Sequence, residues 1–251
     1  MKLKHLLTVF LSASLMLSAA TVWLASDLEA SLDRAEDLES RRVSSILLAD
    51  ELRESSDDLT RFARLYVETG EQRFVEYFNR VLEIRNGEQP RPKDYEGVYW
   101  DLVIDDPERL DQDSGDVASL QDRMRRLGFS DAEFELLAQA RQRSDALTAL
   151  ENRAFNAMRG RFDDGTGRYR VAGEPDRALA QRLLHGERYH RAKASIMEPI
   201  GRFKREVNAR TRAELGQVRN NADALLLGTF LSPAACSPCS FSWRLSCTGE
   251  S

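Results

Sequence analysis

The sequence predicts an all-α protein: an elongated antiparallel helical bundle of the four-helix type, lying between an N-terminal transmembrane helix and a truncated second transmembrane segment. Uncharged apolar runs lie near both ends of the chain. Between them, apolar side chains recur every three or four residues, which is the period of an α-helix buried on one face. The first and last helical stretches are also similar in length, as a pair of helices that leaves a membrane and returns to it requires.

Composition limits the possible functions. Charged residues make up 31% of the 251 residues and the mean hydropathy is −0.48, so membrane segments must be few. A net charge of −5 argues against nucleic-acid binding, which needs a clustered basic surface. The body of the chain contains no cysteine and therefore no disulfide framework; the three cysteines lie at the end of the chain, at Cys236, Cys239 and Cys247.

The first element is an apolar segment, assigned to residues 1–26. Lys2 and Lys4 precede an uncharged run long enough to cross a bilayer, and they place the N-terminus in the cytoplasm. Trp23 suits the far interface. A cleaved signal peptide is the alternative, because small residues at Ser18, Ala19 and Ala20 could form a cleavage site. The uncleaved anchor is preferred because the helical pattern continues past Leu24 without a breaker, and either interpretation exports the region that follows.

An exported helical domain is expected over residues 27–222. Its first helix covers 27–69 and ends at Gly70, and a second helix covers 71–85. Pro90 and Pro92 predict an irregular stretch that includes Tyr95, Tyr99 and Trp100. Residues 105–116 are acidic and loop-like, and a short helix is expected at 117–127.

The second half of this domain begins with a capping box, Ser130 with Glu133, which opens a helix running to about residue 159. A small hairpin or turn is expected over 162–171, where Asp163 and Asp164 lack the rest of a calcium-loop pattern. The last helical stretch is residues 176–222, which Pro199 is expected to kink or split.

The second apolar run predicts a partial transmembrane segment at 223–243, followed by a short aberrant or disordered tail at 244–251. It begins well at Ala224–Leu231, but prolines and serines then weaken it as a span. One hypothesis is that the authentic reading frame is lost near Leu231; the alternative is a natural disordered end. Cys236 and Cys239 form a lone CxxC pair, from which we infer no metal or redox chemistry.

Four segments resemble the exported helical-bundle sensor domains of bacterial transmembrane receptors. They are Glu51–Gly70 (ELRESSDDLTRFARLYVETG), Ile84–Glu88 (IRNGE) with Tyr99–Leu102 (YWDL), Ser144–Leu147 (SDAL), and Tyr189–Ile200 (YHRAKASIMEPI). Such domains are the input modules of methyl-accepting chemotaxis proteins, sensor histidine kinases and some membrane-bound cyclases. The resemblance covers about residues 1–230. It implies a homodimer in the bacterial inner membrane with its bulk in the periplasm, and a HAMP linker and output domain that this sequence does not contain.

No catalytic site, metal site or cofactor is expected. Walker A, GxSxG and dinucleotide-binding motifs are absent, and His185 and His190 are spaced five apart, so they do not share a helical face. A small-molecule site is expected instead where Arg85, Asn86 and Arg91 accompany the aromatic residues Tyr95, Tyr99 and Trp100. Arg61 and Arg64 are lesser candidates. The alternative is that the aromatic side chains close the core and the arginines lie on the surface.

The sequence therefore predicts the sensory input region of a receptor that passes a periplasmic signal through the membrane by helix displacement. The alternative is a membrane-anchored interaction module that docks a periplasmic partner, such as a binding protein, and senses no small molecule itself. A secreted helical enzyme is a third possibility, which would require cleavage of the N-terminal segment.

Overall fold

The computed structural model of the protein describes residues 2–95, 97–111 and 115–231. The predicted tail, most of the second apolar run and all three cysteines lie outside the described residues. Within them the chain forms seven α-helices, one 3₁₀-helix and one two-stranded hairpin, so the predicted all-α class is confirmed.

The helices are α1 (Lys2–Thr69), α2 (Arg73–Asn86), α3 (Tyr99–Asp105), α4 (Leu120–Arg126), α5 (Asp131–Met158), α6 (Arg177–His185) and α7 (Glu187–Leu231). The 3₁₀-helix is Pro107–Asp111. The hairpin pairs β1 (Arg161–Phe162) with β2 (Val171–Ala172), where the sequence predicted a hairpin or turn.

The chain divides into two compact units. One unit is residues 39–211, and the other combines residues 1–38 with the residues from 212 onward. Helices α1 and α7 each contribute to both units. In the second unit, the start of α1 is apolar and exposed: its best window has a mean hydropathy of 1.8 and none of it is buried. By length and composition this segment could cross a membrane, although a signal sequence would have the same properties.

The core of the 39–211 unit is formed by the apolar stripes of its helices. Helix α1 contributes Leu52, Leu59 and Phe62, and α7 contributes Ile196 and Phe203, all of them buried. Aromatic rings join the helices: Phe155 of α5 packs edge-on against Phe78 of α2 and Tyr66 of α1.

Side-chain pairs show the direction in which these helices run. On α1 and α7 of this unit, Thr60 pairs with Tyr189, Ser56 with Lys193 and Arg42 with Asn208. The partner's number rises as the number on α1 falls, so the two helices are antiparallel. By the same test α5 is antiparallel to α7, through the pairs Glu151–Tyr189, Arg143–Ser195 and Glu133–Arg210.

The capping box that the sequence predicted at the start of α5 is present in the structure. Ser130 caps the helix by accepting from the Glu133 amide, and the Glu133 carboxylate accepts from the Ser130 amide. Arg210 of α7 also donates to this carboxylate, so the capping box ties the beginning of α5 to α7.

Two sequence expectations were wrong. The stretch around Tyr99 and Trp100 is helix α3, because Tyr99, Trp100 and Val103 place one buried face on the core at helical spacing. The last helical stretch is split at Gly186 and not at Pro199, where α7 continues. A kink at Pro199 stays a prediction. A Cβ at Gly186 would lie 2.7 Å from the Arg182 carbonyl oxygen, so the interruption depends on glycine.

Candidate functional site

The aromatic residues that were predicted to line a ligand site belong to the core. Tyr95, Tyr99 and Trp100 are all buried. Trp100 packs edge-on against Phe62 of α1 at 5.1 Å between ring centroids, and its indole N–H donates to the Tyr95 hydroxyl at 3.4 Å. These rings therefore close the core beside α1 and α3, as the alternative in the sequence analysis supposed.

Most of the candidate polar residues are engaged elsewhere in the 39–211 unit. Arg91 donates to the buried Glu51 carboxylate, and Arg61 contacts Asp58 and Asp101. Arg64 donates to the carbonyl of Leu184, and its guanidinium lies over the Tyr189 ring. Asn86 is exposed at the end of α2, with its amide 3.4 Å from Glu88.

Arg85 is the candidate that lines a cavity. This cavity has a volume of about 240 Å³ and lies between α1, α2, α4 and α5. Its walls are mainly apolar, and its polar lining residues lie on three helices. The lining residues are Leu52, Arg85, Leu120, Gln121, Met124, Phe134, Leu137, Ala138, Arg141, Gln142 and Asp145.

The Arg85 guanidinium is nearly enclosed, with 3% of its side chain exposed. Its Nη1 donates to the Ser144 hydroxyl at 2.9 Å and its Nη2 to the Asp145 carboxylate at 2.8 Å. Burial is the largest influence on this group and lowers its pKa, against the opposing attraction of Asp145. Arginine remains charged even so. The Nε–H has no acceptor within the described part of the chain.

Asp145 connects the two arginines of the cavity. Its other oxygen lies 3.9 Å from Nε of Arg141, one turn earlier on α5. About half of the Asp145 side chain is exposed, so the carboxylate that faces the buried Arg85 has access to solvent. Two guanidinium groups and one carboxylate leave this cavity with an excess of positive charge.

Helix α4 forms one wall of the cavity because the chain can pass close to the end of α2. Gly87 ends α2 with φ +76°, and a Cβ there would lie 2.5 Å from the Ser119 amide nitrogen. Ser119 then caps α4 by accepting from the Asp122 amide. Arg123 of α4 donates to Glu51 of α1 at 2.7 Å, which fixes α4 against α1.

Sequence reasoning found Arg85 but missed the rest of this cavity. Gln121, Met124 and Phe134 belong to helices whose packing partner could not be known from periodicity alone. One signal was available: Ser144 and Asp145 interrupt the apolar stripe of α5 where the spacing calls for a buried position, and Ser144 is indeed buried.

A second buried polar group lies deeper in the same unit. Glu151 of α5 is 1% exposed and accepts from the Tyr189 hydroxyl of α7 at 2.6 Å. The same hydroxyl also lies 2.9 Å from the hydroxyl of Thr60 on α1. Burial raises the pKa of Glu151 to about 7, although Tyr189, Lys193, Arg85 and Arg64 all act to lower it.

Metal binding has no candidate among the described residues, where no cluster of three or more His, Cys, Asp or Glu side chains could hold an ion. The Asp163 and Asp164 carboxylates accept from the backbone amides of Gly165 and Thr166 in the hairpin loop. They stabilise the turn itself.

Comparison with known proteins adds no relative: no family model, no curated protein and no solved structure matches this chain.

Proposed function

We propose that this chain is the sensory input region of a bacterial transmembrane signal-transduction receptor, of the chemoreceptor or sensor-kinase type. It detects a signal in the periplasm and transmits it by displacement of a helix through the inner membrane. One observation carries the proposal: α1 is a single helix from Lys2 to Thr69, so the apolar N-terminal segment and the core-forming stripe belong to one element. A shift of its buried part is passed along the helix.

The antiparallel contacts within the 39–211 unit support this mechanism. Helices α1 and α7 are joined there by several side-chain pairs, and α7 continues beyond this unit to Leu231. A ligand or partner that moves one of the two helices against the other would change their register by about 1–2 Å, the size of helix shifts in switching proteins.

The proposed architecture is an antiparallel four-helix bundle made of α1, α2, α5 and α7, with the shorter helices closing its sides and end. In the proposal the receptor is a homodimer, its N-terminus is cytoplasmic and its sensor domain periplasmic. The chain itself has no catalytic role, and the output comes from a separate signalling domain.

A chimeric receptor tests the proposal. Residues 1–231 are joined to the HAMP and kinase domains of a well-characterised receptor, and reporter output is measured across an array of small molecules. We expect at least one class of compound to change the output. A chimera that is inserted in the membrane but ignores the whole array would contradict the proposal.

Two insertions between Leu38 and Glu39 test the role of α1 itself. Two glycines weaken the helix at that point, because glycine is a poor helix former. An alanine-rich heptad at this point, paired with a second one between Thr211 and Arg212 of α7, lengthens both helices equally and keeps their faces within about 20° of their positions. We expect the glycine insertion to abolish the response and the heptad to preserve it. Equal responses from the glycine and heptad variants would mean that α1 does not transmit the signal.

The alternative function is an anchored module that docks a periplasmic protein. It is favoured by apolar side chains exposed on and beside α3, where Val98 is 64% and Leu102 43% exposed. Under this alternative the chimera would respond only when the partner protein is present. The double variant Val98→Ser/Leu102→Ser would then abolish the response, whereas a receptor for small molecules would keep it.

A further inference from the structure

The cavity beside Arg85 has the features of a binding site whose natural occupant carries a negative charge. A buried guanidinium with an unsatisfied donor is costly, since an unpaired buried polar group loses its hydration without compensation. Among the described residues, Arg85 forms one ion pair, with Asp145, and its Nε–H has no acceptor. Nη2, which donates to the half-exposed Asp145, is the donor that an incoming carboxylate can take over through a charge-assisted hydrogen bond.

The rest of the cavity requires an apolar body. Its walls include Leu52, Leu120, Met124 and Leu137, all of them buried core side chains, together with Phe134. An apolar cavity of about 150 Å³ is large enough to bind benzene. At about 240 Å³, the cavity beside Arg85 has room for a ring of that size and a carboxylate.

We propose that this cavity binds a small monocarboxylic acid with an apolar body, an aromatic or short branched aliphatic acid. Its carboxylate replaces that of Asp145 on Nη2 of Arg85, while its apolar part lies among the leucines and Met124. Asp145 then turns to solvent, which its half-exposed position permits. The inference names the ligand class of the proposed sensor and rests on that function for its biological role.

Binding would act on the elements that carry the signal. The cavity is bounded by Leu52 of α1, and Arg85 is held by Ser144 and Asp145 of α5. A ligand that releases Asp145 removes one of the contacts between α2 and α5 and fills space against α1. A bound ligand that fills space against Leu52 would act directly on α1.

The test uses the full chain in lipid nanodiscs, with binding measured by titration calorimetry. Benzoate is the probe and benzyl alcohol is the matched neutral compound, which has the same ring without the carboxylate. We expect saturable benzoate binding and affinity at least about tenfold weaker for the alcohol, equivalent to one strong charge-assisted contact. Equal affinities would overturn the role of Arg85, and the absence of benzoate binding would overturn the proposal.

Two variants separate this site from binding elsewhere. Ala138→Leu fills the cavity without changing its charge and is expected to abolish benzoate binding, while Ala132→Leu at an exposed position of the same helix is the control. Asp145→Asn removes the competing carboxylate and is expected to tighten benzoate binding by roughly threefold to tenfold. If the benzoate affinity is unchanged in both Asp145→Asn and Ala138→Leu, the site is refuted. If Ala138→Leu does not fold, the affinity of Asp145→Asn decides the question.

Failure of this inference can be told apart from failure of the proposed function. Benzoate binding by the nanodisc-embedded chain, with no effect on the chimeric receptor, would support the cavity and contradict the sensor. If the chimera responds to another compound and the chain does not bind benzoate, the sensor function is supported and the cavity proposal is contradicted.

Discussion

At the residue scale, the most consequential side chain outside the cavity is Glu151. It joins three helices through one hydroxyl: Tyr189 of α7 donates to Glu151 and contacts Thr60 of α1. The charged groups that influence it come from each neighbouring helix, namely Lys193 on α7, Arg64 on α1 and Arg85 on α2. Its protonation state therefore affects the centre of the 39–211 unit.

The pH dependence of stability should show this buried carboxyl. Its pKa is about 7 in the folded protein and about 4.5 when unfolded, so between these values the folded state binds the extra proton. Stability then falls as the pH rises through this window, by on the order of 3 kcal/mol for this group. We expect Glu151→Gln to match the wild type below pH 4.5 and to be more stable at pH 8, measured by urea unfolding.

The Glu151→Gln variant must be compared with the wild type, because a second carboxyl also lowers the stability of the folded protein as the pH rises. Burial is also the main cause that raises the pKa of Asp58 to about 7. Glu135→Gln, at an exposed position on α5, is the control and should leave the curve unchanged. A Glu151→Gln variant less stable than the wild type at pH 8 would mean that the carboxylate is ionised and stabilised by its cationic neighbours.

The sequence could suggest part of this chemistry. Arg85 was predicted as a ligand residue because a guanidinium group binds small carboxylates and aromatic residues follow it in the sequence, and it lines the cavity. Glu151 was not singled out from the sequence. The signal that could have identified it is its spacing, four residues after Leu147 and three before Ala154, inside the apolar stripe.

At the element scale, α7 passes through Pro199 because α5 provides a replacement donor. Proline has no N–H, so the carbonyl of Ser195, four residues earlier, loses its normal helical partner. Arg143 of α5 donates to this carbonyl oxygen at 2.6 Å. The sequence predicted a kink or a split at Pro199. The split could not be excluded from the sequence, because the replacement donor comes from a helix distant in sequence.

A double-mutant cycle tests this replacement. Arg143→Ala should destabilise the protein by about 1–3 kcal/mol, because it leaves the Ser195 carbonyl unsatisfied. In the Pro199→Ala background the loss should be smaller, since the new backbone N–H takes over that carbonyl. The measurement is urea unfolding of the wild type, both single variants and the double variant.

The contact between Arg143 and Glu198 needs a control. The two side chains approach to 3.6 Å, but both are substantially exposed, and surface ion pairs contribute little. Glu198→Gln should therefore have a small effect. Additive effects of Arg143→Ala and Pro199→Ala would show that the arginine does not serve the carbonyl.

At the scale of the whole molecule, periodicity was enough for the class of fold but not for its packing. Long apolar stripes and the capping box at Ser130 predicted most helices, since these signals are local. The position of α4 was not predictable, because it depends on Gly87 allowing the chain to pass and on Arg123 reaching Glu51. Both contacts join residues that are distant in sequence.

The N-terminal segment supports the last prediction, which concerns where the molecule resides. Leu6, Leu7, Phe10 and Leu17 are largely exposed, and none of the apolar window of α1 is buried by the protein. Because exposed apolar surface is unfavourable in water, this segment needs a bilayer or must be removed. We expect the intact mass of the expressed chain to include residue 1, and its extraction to require detergent.

The fragment 39–211, which contains one compact unit and lacks this segment, should remain soluble, helical and cooperatively folded. A soluble mature chain beginning near Ala20 would instead identify a cleaved signal peptide, and signalling through α1 would then lose its path across the membrane.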